Sequence, residues 1–127
     1  MANLLVWADL PVKDMVRARK FYSHVLGHPV DDMPGQEGKV ALLMQPGTGS
    51  ETDAAIDLAT ESMTEPSTTH GPVIYLSTDG DIDGMLKRAE EAGGKILKPK
   101  EDFGEYGGWL AYIEDTEGNL VGLQQQS

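Results

Sequence analysis

One pattern occurs twice in this chain, 67 residues apart: Asp14, an apolar-periodic stretch and Gly27 recur as Asp81, a second such stretch and Gly94. Each aspartate suits a helix N-cap and each glycine a helix stop. With 127 residues in all, each half is too small to bury a core of its own, so the halves share one and leave a cleft between them. That cleft is where function is to be sought.

The elements around the repeat follow from periodicity. Leu4 to Leu10 reads as a buried strand closed by Pro11, and the helix after Asp14 carries Met15, Ala18, Phe21, Tyr22, Val25 and Leu26 on one face and Arg17, Arg19 and Lys20 on the other. Val40–Met44 and Ala54–Leu58 read as strands joined by a turn over Pro46 to Thr52, with a weaker strand signal at Pro29–Asp32. Thr60 to Gly71, rich in Thr, Ser, Glu and Pro, reads as the connection between halves. The second half repeats the order. It has a strand at Val73–Ser77, a helix after Asp81 bearing Ile82, Met85, Leu86, Ala89 and Ala92, and strands at Lys95–Leu97, Trp109–Ile113 and Leu120–Leu123. Asp115–Asn119 forms the turn between the last two. The expectation is an α+β fold of two βαβββ modules, at about residues 1–60 and 71–127, within a single domain. Lys98 to Gly108 is expected to be a glycine-rich connector that could close over a cavity mouth.

Charge and composition remove several function classes. Ten Lys and Arg against 21 Asp and Glu give a formal charge of −11, which repels phosphate backbones and anionic lipid surfaces; neither nucleic acid nor membrane is an expected partner. Cysteine is absent, so disulfides, thiol nucleophiles and Cys-ligated metals are excluded. The first residues carry no basic flank and too short an apolar run for a signal or span, which points to the cytoplasm.

Four strings then resemble the vicinal oxygen chelate superfamily, that of glyoxalase I, the bleomycin and fosfomycin resistance proteins and the extradiol dioxygenases. They are Leu10-Pro11-Val12-Lys13-Asp14-Met15, Phe21-Tyr22 ahead of Val25-Leu26-Gly27, Ala92-Gly93-Gly94-Lys95, and Asp115-Thr116-Glu117-Gly118-Asn119-Leu120. The resemblance implies that the modules curl a mixed sheet around a cup-shaped cavity, commonly with a homodimer partner. It also implies where a divalent metal would be held: by His or Glu on the first strand, His on the first strand of the second half, and Glu on the last strand. Those positions fall on Trp7, on Val73 or Ile74 depending on whether Gly80 is an insertion, and on Gly122. None of these side chains donates to a metal, and a one-residue slip in register would turn each to the other face. No cofactor is therefore expected.

On the inward parity that the resemblance implies, the candidate ligand-binding residues are Trp7, Asp9, Tyr75, Leu110, Tyr112 and Gln124. A carboxylate within an apolar strand, as Asp9 is, calls for a wet cavity, an arginine or a strand edge. His24 and His28 are expected on the surface; His70, with Asp9 or Asp57, is the one salvage set for a relocated metal. The function expected is small-molecule binding of the glyoxalase/bleomycin-resistance type without the usual metal, after the drug-sequestering branch of the family. The alternative is a metal-dependent lyase, isomerase or dioxygenase with relocated ligands. A third possibility is a subunit or regulator whose dimer surface matters more than its cup.

Overall fold

A computed structural model describes residues 4–44 and 55–126. The elements run β1 (Trp7–Pro11), α1 (Met15–Leu26), β2 (Val40–Leu42), β3 (Ala55–Ala59), β4 (Ile74–Ser77), α2 (Ile82–Glu91), β5 (Lys95–Asp102), the single helical turn α3 (Gly104–Gly107), β6 (Trp109–Glu114) and β7 (Leu120–Gln125). They form two mixed sheets, ordered β1-β3-β2 and β4-β7-β6-β5. In each, the opening strand pairs in parallel with the closing one, β1 with β3 and β4 with β7, and the other pairings are antiparallel. The α+β class and the doubled order are as the sequence implies.

Both helices start as expected. The Asp14 side chain accepts from the Arg17 N–H at 3.1 Å, and the Asp81 side chain from the Gly84 N–H at 3.1 Å. The two repeated glycines do different work. Gly27 closes α1 in the left-handed region at φ 77°, whereas α2 is capped by Ala92 and Gly93 takes the positive φ of 101°. Gly94 instead permits a close approach: a Cβ there would sit 2.7 Å from Phe21 Cε1 of the other module and 2.8 Å from the Glu114 carbonyl oxygen of its own. One apolar core holds Phe21, Val25 and Leu58 from the first half together with Ile82, Ile113, Val121 and Leu123 from the second.

Three local expectations change. The segment Pro29–Asp32 contributes one bridge, Asp32 to Ala41, instead of a strand, so the first module has three strands among the described residues. Pro29 brings no N–H, and Arg19 holds the segment from the side through the Val30 carbonyl at 2.8 Å and the Asp32 carboxylate at 3.4 Å. Lys98–Asp102 is strand, not connector: β5 is an edge strand, where Pro99 is tolerated, and its pairing with β6 shifts register twice. Finally, β2 stops at Leu42. The turn read over Pro46–Thr52 lies outside the described residues. Thr60–Gly71 contains no helix or strand.

Candidate functional site

The first strand sorts its side chains by alternation. Ala8 and Leu10 enter the core, leaving Trp7 and Asp9 on the opposite face, where Trp7 is half exposed. Parallel pairing with β3 sets Asp9 directly beside Asp57. The two differ sharply in surroundings: Asp9 is exposed and accepts the Trp7 indole N–H at 2.6 Å, whereas Asp57 is only 1% exposed and its Oδ1 has no partner among the described residues. Burial, then the neighbouring Asp9 carboxyl, pushes the Asp57 carboxyl up to about 7.

Two cavities share walls at this point: Trp7 and Asp9 line both. The smaller, about 210 Å³, opens over Asp57 and is bordered by Gln36, Lys39 and Glu61. The larger, about 740 Å³, runs along β1 beside the segment that joins the modules, against Leu5, His70, Ile74 and Leu120. Its volume lies within the range of small-molecule sites.

A second aromatic group lies on the other sheet. Tyr75 and Tyr112 flank Gly122 across β4, β7 and β6, their hydroxyls 2.7 Å apart and their rings edge to face at 5.8 Å. The hydrogen bond with Tyr112 is the first cause that raises the Tyr75 hydroxyl above its ordinary value. A Cβ built on Gly122 would run into the Tyr75 ring, so the aromatic fills the room that a longer side chain at 122 would need. Leu110 lies beside Gln124 in the β6–β7 register, and the Gln124 amide donates to the Gly107 carbonyl at 3.0 Å, fastening α3 to β7.

The six candidate residues thus fall into groups: Trp7 with Asp9, Tyr75 with Tyr112, and Leu110 with Gln124. Neither cavity at Trp7 is lined by a member of the other two groups. His24 is an exposed residue 3.1 Å from Glu91, and His28 is half-buried, its ring 3.1 Å from the Pro29 carbonyl oxygen. His70 is exposed beside Thr69, at 2.8 Å, and shares the larger cavity with Asp9. Among the described residues no three or more His, Asp or Glu side chains are gathered as a metal-binding group.

Sequence reasoning weighed Asp57 only as a helper for His70, although its place in an apolar strand carried the same signal as Asp9. It also missed a buried polar cluster in the turn between β6 and β7. Glu117 accepts from the Lys13 and Asp14 N–H groups at 2.8 and 2.9 Å and from the Arg17 guanidinium at 2.7 and 3.0 Å. Burial alone would raise this carboxyl. Arg17, the two backbone N–H groups and the Thr116 hydroxyl overcome that and hold it at about 2. Asp115 accepts the Tyr22 hydroxyl at 2.5 Å and the Asn119 amide at 3.0 Å, and the same amide donates to the Pro11 carbonyl at 2.7 Å. The cluster ties the last turn of the second module to the start of α1.

Paired, helix-crossed mixed sheets sharing one core, with a cavity along the first strand, define the class of protein. The chain belongs to the Glyoxalase/Bleomycin resistance protein/Dioxygenase superfamily, whose family model matches residues 4–123. It is 30% identical over 122 residues to the Mycobacterium bovis protein CFP32, provisionally named a glyoxylase; the match takes in 94% of this chain but only 44% of that relative's length. Among solved structures it is similar to TnmS3, an antibiotic binding protein from Streptomyces sp. CB03234, with 25% identity, a TM-score of 0.70, and coverage of 98% of this chain and 97% of the other. A glyoxalase/bleomycin resistance protein from the same organism gives 27% identity and a TM-score of 0.67, covering 95% and 99%. No helix among the described residues is long and apolar enough to cross a membrane.

Proposed function

We propose that this protein binds a small organic molecule on the cup face of its sheets, without a metal at the family's usual position. The observation that carries the reading is the cavity of about 740 Å³ along β1, into which a half-exposed Trp7 and the Asp9 carboxylate project. A large aromatic left partly uncovered beside a polar anchor is the usual make-up of a ligand pocket. The likeness to an antibiotic binding protein supports the same reading. Trp7, Val73 or Ile74, and Gly122 offer no donor atoms, and the Tyr75 ring crowds Gly122.

The same proposal takes residues 1–127 as one domain acting as a homodimer in the cytoplasm. Trp7 and Tyr75, 50% and 43% exposed, are large aromatics on sheet faces that a second copy would cover, and Tyr75, Leu110, Tyr112 and Gln124 would then complete the cup.

Binding is tested by a thermal-shift and calorimetric screen of aromatic antibiotics against the wild type and Trp7→Ala. The expected result is a saturable hit that Trp7→Ala weakens more than tenfold while the melting temperature falls by only a few degrees. A large fall in the melting temperature of Trp7→Ala with unchanged affinity would give Trp7 a structural role instead. His70 sharing the cavity with Asp9 is the observation that keeps a metalloenzyme in view. A saturable stabilisation by Zn, Ni, Fe or Mn, abolished by His70→Ala or Asp9→Ala, would decide for it; no such shift is expected.

A further inference from the structure

The pairing of Asp9 with Asp57 leaves a buried carboxylate oxygen without a partner among the described residues, on a side chain that lines a cavity. A charge in that state is costly, and a protein relieves the cost with a proton, a cation or a hydrogen-bond donor. The available groups are few. Trp7 spends its N–H on Asp9, and Lys39, the cation bordering the small cavity, lies 3.7 Å from Glu61 in an exposed pair. Gln36 is the remaining polar neighbour there. The cavity therefore holds three carboxyls to one ammonium, with the most buried of the three uncompensated among the described residues.

We propose that Asp9 and Asp57 form a receptor for a cationic nitrogen, an ammonium or amidinium group carried by the small organic ligand, with the Trp7 indole as an adjoining wall. Three observations converge on this. The Asp57 Oδ1 is unpartnered at 1% exposure. The smaller cavity, at about 210 Å³, suits a charged head group, and the one of about 740 Å³ that shares Trp7 and Asp9 with it can take the body of the same ligand. An aromatic face beside an anionic pair is also a known combination for holding organic cations. The proposal rests on the small-molecule reading above and names its ligand class.

Without ligand, the Asp57 carboxyl retains its proton up to near neutrality, since burial and the facing Asp9 carboxyl oppose its ionisation. A cation that docks between the carboxyls below that point displaces the proton to solvent, with no other bond made or broken. Lys39, Glu61 and, across the larger cavity, Glu65 and His70 are the other titratable groups facing the site.

The test uses benzamidine, a cation at these pH values, against benzamide, its neutral counterpart of nearly the same shape, titrated calorimetrically into the full chain at pH 6 and pH 8. Benzamidine is expected to bind at least tenfold more tightly than benzamide. Its affinity should rise about tenfold from pH 6 to pH 8, with proton release at pH 6 seen as a dependence of the heat on buffer. Asp57→Asn and, separately, the exposed Asp9→Asn should each cost tenfold or more and abolish the pH dependence; the second variant guards against misfolding of the first, and melts verify both. Equal binding of benzamide, or Asp variants that bind benzamidine as the wild type does, overturns the cation receptor while leaving small-molecule binding standing. If neither probe binds, the cation receptor falls, and the broader reading falls only if the antibiotic screen with Trp7→Ala is blank as well.

Discussion

Two buried carboxylates in this molecule have opposite fates. Glu117, 3% exposed, accepts hydrogen bonds from two backbone N–H groups, a guanidinium and a hydroxyl, and is held at about 2. Asp57, 1% exposed, faces another carboxyl and is pushed up to about 7. Burial alone raises both; the difference lies in whether donors were delivered to the same place. Where they were, the carboxylate joins the two modules. Where too few were, the strand pair keeps one carboxylate oxygen without a partner among the described residues, at the edge of a cavity, which is the pattern expected of a site kept for something else.

The largest effect should come from removing the satisfied anion. Glu117→Ala is expected to cost about 3 kcal/mol in urea unfolding, because it strands the Lys13 and Asp14 N–H groups. The wild type should show the matching acid transition. Since the folded value lies below the unfolded one, the contribution is full above about pH 4.5 and is lost as pH falls towards 2. An acid limb unchanged by Glu117→Ala would break the comparison.

Asp57→Asn should move stability the other way, by about 2 kcal/mol at pH 8, because it deletes a charge that the fold does not compensate. With the folded value raised above the unfolded, the wild type is favoured at low pH and loses stability as pH rises from about 4 to about 7. The variant should lack that slope. A loss of stability at pH 8 would mean that the carboxylate has a donor after all.

Next in size, Tyr22→Phe is expected to cost about 1.5–2 kcal/mol by taking a donor from the buried Asp115. Tyr112→Phe, which removes one hydroxyl of a solvent-reached pair on the opposite face, should change stability by less than about 0.5 kcal/mol. The contrast sharpens the division between polar groups that hold the fold and those left on the cup face; a similar loss at both would erase it.

Much of the architecture was legible along the chain. Asp14 and Asp81 signalled their helices because an N-cap is a local event, settled by a side chain and the N–H three residues on. The apolar periods of α1, α2, β6 and β7 worked for the same reason. Pro29–Asp32 and Lys98–Asp102 went otherwise because strand pairing is decided by neighbours, and neither Arg19 nor the edge position of β5 is visible locally.

The candidate site divides along the same line. Alternation in β1 placed Trp7 and Asp9 on one face, and in β6 it did the same for Leu110 and Tyr112. What alternation cannot supply is the partner across the sheet. That Asp57 lies beside Asp9, that Tyr75 fills the space over Gly122, and that Glu117 reaches back to Arg17, 100 residues earlier, are results of register and of how the modules pack. The order of residues along the chain was enough for the doubled helix-crossed sheets, the shared core and the excess of acid over base. Only the tertiary structure decided which of those acids would meet a donor and which would meet another acid, because the free energy of a buried charge depends on the groups folded against it and not on its place in the chain.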